Sequence, residues 1–163
     1  MKPNELVRER REELGLREAE VASYAGLSRA EYRDIEHDED EAFTVVQLGK
    51  LRAIATLLKL DILSMFAIEC ETQGDDTSNI GLFSRPRNEL ISLRREALEF
   101  TREQLGDRIG FETIAVEGME RDPDFLERWS VELIQELAKA LTLPVHVLLQ
   151  VPCSSLPEKA ITK

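Results

Sequence analysis

Apolar positions return every three or four residues through most of the chain, the period of helices buried on one side. In the stretch Arg17 to His37, REAEVASYAGLSRAEYRDIEH, Val21 and Ala22 precede Gly26 and Leu27 follows it; Ser28 is placed to cap a second helix, and Tyr32 and Ile35 return to the same side. The pattern predicts two short helices joined by a tight turn. Gly26 supplies the positive φ that a sharp helix-to-helix turn needs, and the small Ala22 lets the two helices approach closely. No segment holds the alternation of a strand, so the expected class is all-α.

The same pattern occurs twice. NELVRERREELG, Asn4 to Gly15, returns as NELISLRREALE, Asn88 to Glu99, with Asn, Glu, Leu, both adjacent arginines, Glu and Leu in register at an offset of 84. That offset also carries Gly26 onto Gly110, Tyr32 onto Val116, Ile35 onto Met119 and Glu36 onto Glu120. The register then slips by one, so that IATLLKLDILSMF from Ile54 aligns with LAKALTLPVHVLL from Leu137. An internal repeat of this kind marks a tandem duplication. Five helices are predicted in each copy, over 4–14, 17–24, 28–37, 46–58 and 61–67, and over 87–98, 101–108, 112–120, 129–141 and 144–150. The expected domains are 1–70 and 84–151, with a polar linker at 71–83 and a flexible tail at 152–163. Ser84 and Pro86 are placed to start the second copy's first helix. Trp129 reads as a core or interface anchor.

Charge changes the picture. The formal net charge is −11, made of −6 over residues 1–72 and −5 over the remainder. A protein that neutralises phosphates usually shows a basic patch. Carboxylates farther away than a Debye length of about 8 Å are largely screened, so the net charge does not forbid one, but it predicts weak non-specific affinity for DNA. The acidic run HDEDEA, His37 to Ala42, lacks the central glycine and spaced ligands of a calcium loop and reads as a solvated loop.

No run of about 18 apolar residues exists, and MKPNELVRER lacks the apolar segment of a secretory signal; the expectation is a cytoplasmic protein without a membrane span. Cys70 and Cys153 make no disulfide framework and are expected reduced. They occupy matching places just past the last helix of each copy; inheritance from the duplication accounts for this, and proximity of the two sulfurs across a pseudo-two-fold axis is the alternative. There is no P-loop, dinucleotide fingerprint or zinc-spaced Cys/His cluster, and neither His37 nor His146 has a nucleophile motif beside it, so neither catalysis nor a cofactor is expected.

Both copies resemble the Cro/phage-repressor type of helix-turn-helix, the xenobiotic-response-element-like family, over about 64 residues each. The pattern is approximately R-x-x-x-G-x-(T/S)-Q-x-x-L-A-x-x-x-G-(V/I)-S-x-x-x-I-x-x-I-E. The resemblance implies two lambda-repressor-like five-helix domains in tandem. It implies structural ion pairs from Arg11 to Glu36 and from Arg95 to Glu120, each fixing the third helix against the first. It also implies that the first copy's third helix lies in the major groove of double-stranded DNA. Arg29 and Arg33 would then reach base edges, Ala30 a thymine methyl, and Ser28 and Arg17 the phosphates. Glu31 and Asp34 oppose the anionic DNA, and Glu18 stands where the family usually has glutamine. The second copy departs further: ETIAVEGME, Glu112 to Glu120, contains no Lys or Arg, and its expected exposed positions are Thr113, Ile114, Ala115, Glu117 and Gly118. Arg102 and Arg108, on the helix before it, are the cations available to help.

Two functions follow. One is a sequence-specific DNA-binding transcriptional regulator, a repressor in its simplest form, in which the first copy reads DNA and the second serves packing, dimerisation or a protein partner. It would assemble as a homodimer or as an intramolecular pseudo-dimer. The other is an acidic protein-interaction module, antitoxin-like or a regulatory partner, on a helix-turn-helix scaffold that has lost DNA binding.

Overall fold

The computed structural model describes residues 2–68 and 85–151. Cys70, Cys153, Ser84, the linker and the tail lie outside the described residues. Helices and one 3-10 turn are the only regular elements among the described residues, with no strand. The first copy comprises α1 (Pro3–Glu13), α2 (Glu18–Ala25), α3 (Arg29–His37), the single turn α4 (Glu41–Thr44), α5 (Leu48–Leu58) and α6 (Ile62–Met65). The second comprises α7 (Arg87–Ala97), α8 (Arg102–Ile109), α9 (Thr113–Arg121), the 3-10 turn Phe125–Arg128, α10 (Val131–Ala140) and α11 (Val145–Leu149). α4 and the 3-10 turn fall where the periodicity predicts loop. Four residues are too short for an apolar repeat to declare itself.

Capping explains where the helices begin. Ser28 Oγ accepts from the backbone N–H of Glu31 at 3.2 Å, and Glu31 Oε2 accepts from the N–H of Ser28 at 2.7 Å. Thr101 and Gln104 form the same reciprocal box at the start of α8, at 3.1 and 2.9 Å. Pro86 is the N-cap of α7, and Ser130 that of α10.

The chain turns in the left-handed region at eight described positions, and these form four pairs under the duplication: Gly15 with Glu99, Gly26 with Gly110, Lys59 with Thr142, and Ala67 with Gln150. Gly26 and Gly110, at φ 67° and 75°, end the second helix of each copy, so the tight turn is built alike in both. At the turn before it the copies differ, because Glu99 holds at φ 58° what Gly15 holds at 66°. A left-handed non-glycine residue costs about 1 kcal/mol. Glu99→Gly is therefore expected to stabilise the protein by somewhat under 1 kcal/mol, read as a higher urea midpoint at unchanged slope; a lowered midpoint would show that Glu99 is not strained.

One hydrophobic cluster draws on both copies. Val7, Val21, Tyr32, Ile35, Leu51 and Leu58 of the first belong to it with Ile91, Leu105, Val116, Met119, Ile134 and Leu137 of the second. The seam is reciprocal: α5 packs on the 3-10 turn of the second copy, and α10 packs on α4, the equivalent turn of the first. Each copy thus offers the same two elements to the other, the arrangement of an isologous interface. The polar bonds across the seam are not duplicated. The N–H of Leu48 donates to the carbonyl of Trp129 at 2.8 Å. Glu127 accepts across the seam from Arg52 Nε at 3.1 Å and, within its own copy, from Arg87 Nη2 at 2.7 Å. Arg52 also donates across the seam to the carbonyl of Leu149, while the buried Arg87 donates within the second copy to that of Leu148 at 3.3 Å.

Candidate nucleic-acid interface

The inner face of α3 is apolar apart from Glu36. Tyr32 and Ile35 are fully buried against α1 and α2, and Glu36 is 2% exposed. A carboxylate removed from water in this way must be paired. Arg11 does so from α1, with Nε 2.6 Å from Glu36 Oε1 and Nη2 2.9 Å from Oε2. Its remaining Nη1 donates to the carbonyl of Leu16 at 3.0 Å, tying the α1–α2 turn to the pair. The hydrogen bond to Glu36 raises the pKa of the Arg11 guanidinium further.

The second copy repeats the device. Arg95 Nε lies 2.5 Å from Glu120 Oε1, and Arg95 Nη1 donates to the carbonyl of Phe100 at 2.8 Å. Here Glu120 holds a second arginine, Arg102, at 2.6 Å. Arg102 is therefore committed to the scaffold rather than left free for a ligand. Burial pushes the Glu120 carboxyl up, but the hydrogen bonds from Arg95 and Arg102 together outweigh it and hold the group below the usual glutamate value. A depressed native pKa stabilises the fold above the unfolded carboxyl range, near pH 4.3, and that contribution disappears as the pH falls through the native value. The urea midpoint of the parent is expected to fall between pH 7 and about pH 3 by more than that of Glu120→Gln; equal losses would show that Glu120 contributes nothing to acid lability.

The arginine beside each clamp has a second structural function that periodicity alone does not show. Arg10 Nε donates to the carbonyl of Leu58 at 3.0 Å, and Arg94 Nε to that of Leu141 at 2.9 Å, so each closes the C-terminal end of its copy's fourth long helix. The signal is present in the sequence, because the repeat keeps both arginines of each RR pair in register.

The outer face of α3 carries Arg29, Ala30, Glu31, Arg33, Asp34 and His37, all exposed. Arg29 is 74% exposed and its Nε donates to Glu18 Oε2 at 3.0 Å, from α3 back to the start of α2. That hydrogen bond lowers the Glu18 pKa. Arg33 has no carboxylate within ion-pair distance among the described residues. Arg17, the N-cap of α2, is exposed and donates from Nη2 to Glu20 at 3.1 Å. Ser28 and Glu31 face each other across the cap. The Glu31 carboxylate is thus turned toward the helix N-terminus, where its hydrogen bonds to Ser28 lower its pKa, and it occupies the backbone N–H of Ser28. Exposed pairs such as Arg29–Glu18 are worth little and exchange readily.

On α9 the two faces differ from the expectation. Thr113 and Ile114 are exposed, Ile114 by 71%, but Ala115, Glu117 and Gly118 are half-buried, Ala115 against the core. A Cβ on Gly118 would stand 2.4 Å from the ring of Phe125, so the glycine makes room for that ring rather than for a ligand. Phe125 meets Trp129 edge-on at 6.0 Å, and Trp129 stacks on Phe111 at 4.5 Å. α9 also runs one residue further than expected and so contains a cation, Arg121, at the end away from Ile114.

Among the described residues no helix is long and apolar enough to cross a membrane. No family model, no curated protein and no solved structure matches the chain.

Proposed function

We propose that the chain is a DNA-binding transcriptional regulator of helix-turn-helix type, built as an intramolecular pseudo-dimer, in which the N-terminal half of α3 reads the major groove. The observation that carries the reading is the reciprocal seam: the short turn after the third helix of each copy packs on the fourth long helix of the other. Reciprocal packing of this kind is what a two-fold relation between α3 and α9 would produce, and two reading helices on successive grooves about 34 Å apart would need such a relation. Arg29, Ala30 and Arg33 supply base contacts in the first copy, with Arg17 and the Ser28 hydroxyl toward the phosphates. In the second copy Thr113 and Ile114 hold the corresponding positions and offer apolar contact without positive charge. The target is accordingly a duplex with two unequal half-sites.

A second reading, an acidic protein-interaction module, has one specific observation behind it: Arg17, Arg29 and Arg102 each already hold a carboxylate. Selection from a pool of random duplexes separates the two. The regulator enriches two unequal half-sites spaced by one helical turn; a pool that stays random through repeated rounds at low salt contradicts it and leaves the interaction module.

A further inference from the structure

Away from the N-terminus of α3, the surface carries a groove that the DNA-binding reading does not use. One cleft, of about 260 Å³, lies between the start of α1, the loop after α3 and the end of α6; Phe43, Met65 and Phe66 line it, with Glu39 and Asp40 at its edge. The rings of Phe43 and Phe66 meet there at 5.5 Å. A second cleft, also about 260 Å³, runs from α6 across the seam to Gln135, Leu143, Pro144 and Val145. Phe66 and Ala67 line both clefts, so the two adjoin there and together reach from the first copy to the second.

The first cleft is walled mainly by aromatic and aliphatic side chains and the second more by polar atoms, and at the first cleft's edge two carboxylates outnumber the one ammonium, that of Lys2. Glu39 already holds that ammonium at 2.6 Å, and both partners are half-exposed. An exposed pair of this kind exchanges for another cation at little cost. α3, nine residues long, separates this edge from Ser28 by about 13 Å.

We infer that this groove, from Glu39 and Asp40 across Phe43 and Phe66 to Leu143, is a docking site for a basic amphipathic helix of a partner protein. The first cleft suits an apolar anchor side chain, and the second, of mixed lining, a side chain at i+4 or i+7 of the same helix. The carboxylates at one end suit Lys or Arg flanking the first anchor and set the direction in which the helix lies. The site is independent of the DNA-binding reading, and a protein bound there leaves Arg29 and Arg33 uncovered.

The test uses the full chain and a labelled amphipathic peptide of leucine and lysine, beside a peptide with glutamate for each lysine and one with serine for each leucine. Binding is followed by fluorescence anisotropy, and the contact surface by amide chemical shifts. The leucine–lysine peptide alone is expected to bind, with shifts at Phe43, Phe66, Ala67 and Gln135. Glu39→Lys with Asp40→Lys weakens it about tenfold. Glu103→Lys with Asp107→Lys, the same change in net charge on exposed residues of α8, changes it by less than about twofold. Equal weakening by the two double variants, binding of the serine–lysine peptide as strong as that of the leucine–lysine one, or shifts confined to another surface would overturn the assignment. Sedimentation showing a dimer that Glu39→Lys with Asp40→Lys dissociates, with no peptide bound, would assign the groove to a second copy and overturn it equally. Loss of DNA binding alone leaves every arm of this test unaffected.

Discussion

Glu36→Ala is expected to cost about 3–4 kcal/mol of folding stability, the largest loss of any single replacement considered. The reason is the guanidinium left behind. Arg11 is 12% exposed and Glu36 2%, and the two share hydrogen bonds of 2.6 and 2.9 Å. With the carboxylate gone, Arg11 keeps the Leu16 carbonyl in the interior and only the exposed Glu12 carboxylate at 3.5 Å, and a buried charge without its close counterion is costly. Glu36→Gln, which retains one acceptor oxygen, is expected to lose less than half as much. Small domains have only about 5–15 kcal/mol in all. Urea unfolding of the parent and both variants measures this directly, and a loss below about 1 kcal/mol for the alanine variant would show that the pair is dispensable.

The second large effect concerns DNA. Arg29→Ala is expected to weaken binding to a selected duplex by about 1–3 kcal/mol and to relax preference at one base pair. Glu18→Gln is expected to act in the opposite direction. In the free protein Glu18 accepts from Arg29, and in the proposed complex its charge would face the duplex. Neutralising it frees the arginine and removes a repulsion, for a gain of about tenfold at low salt that shrinks as salt rises. Combining Glu18→Gln with Arg29→Ala should abolish most of that gain, because the two residues act through one contact. Anisotropy titrations at two salt concentrations check the set; a Glu18→Gln variant that binds no better than the parent would show that the pair does not restrain Arg29.

The longer helices were legible because each has an apolar face at helical spacing, several have a side-chain cap or a glycine at one end, and a duplicated chain states each element twice. Arg11 with Glu36 and Arg95 with Glu120 stand out for the same reason, and the structure places each pair within hydrogen-bond reach. The seam was not legible. Glu127 has no acidic counterpart in the first copy, where Phe43 and Thr44 stand, and nothing local links it across the seam to Arg52, 75 residues away, or within its own copy to Arg87, 40 residues away. Gly118 reads as a weak point in a short helix until the ring of Phe125 is placed against it. The Glu18–Arg29 contact spans a turn whose residues are each individually ordinary. In all three cases the missing information is tertiary: which surfaces meet, rather than which elements form.

The most direct measurement on the central claim is the binding of a pool of short duplexes, made from genomic fragments, to the parent and to Arg29→Ala with Arg33→Ala, at about 50 mM and about 200 mM salt. Weak binding of the pool by the parent is expected at the lower salt, with most of it lost at the higher, and none by the double variant at either. Equal binding by parent and variant, or no binding by the parent at the lower salt, would contradict the DNA-binding reading.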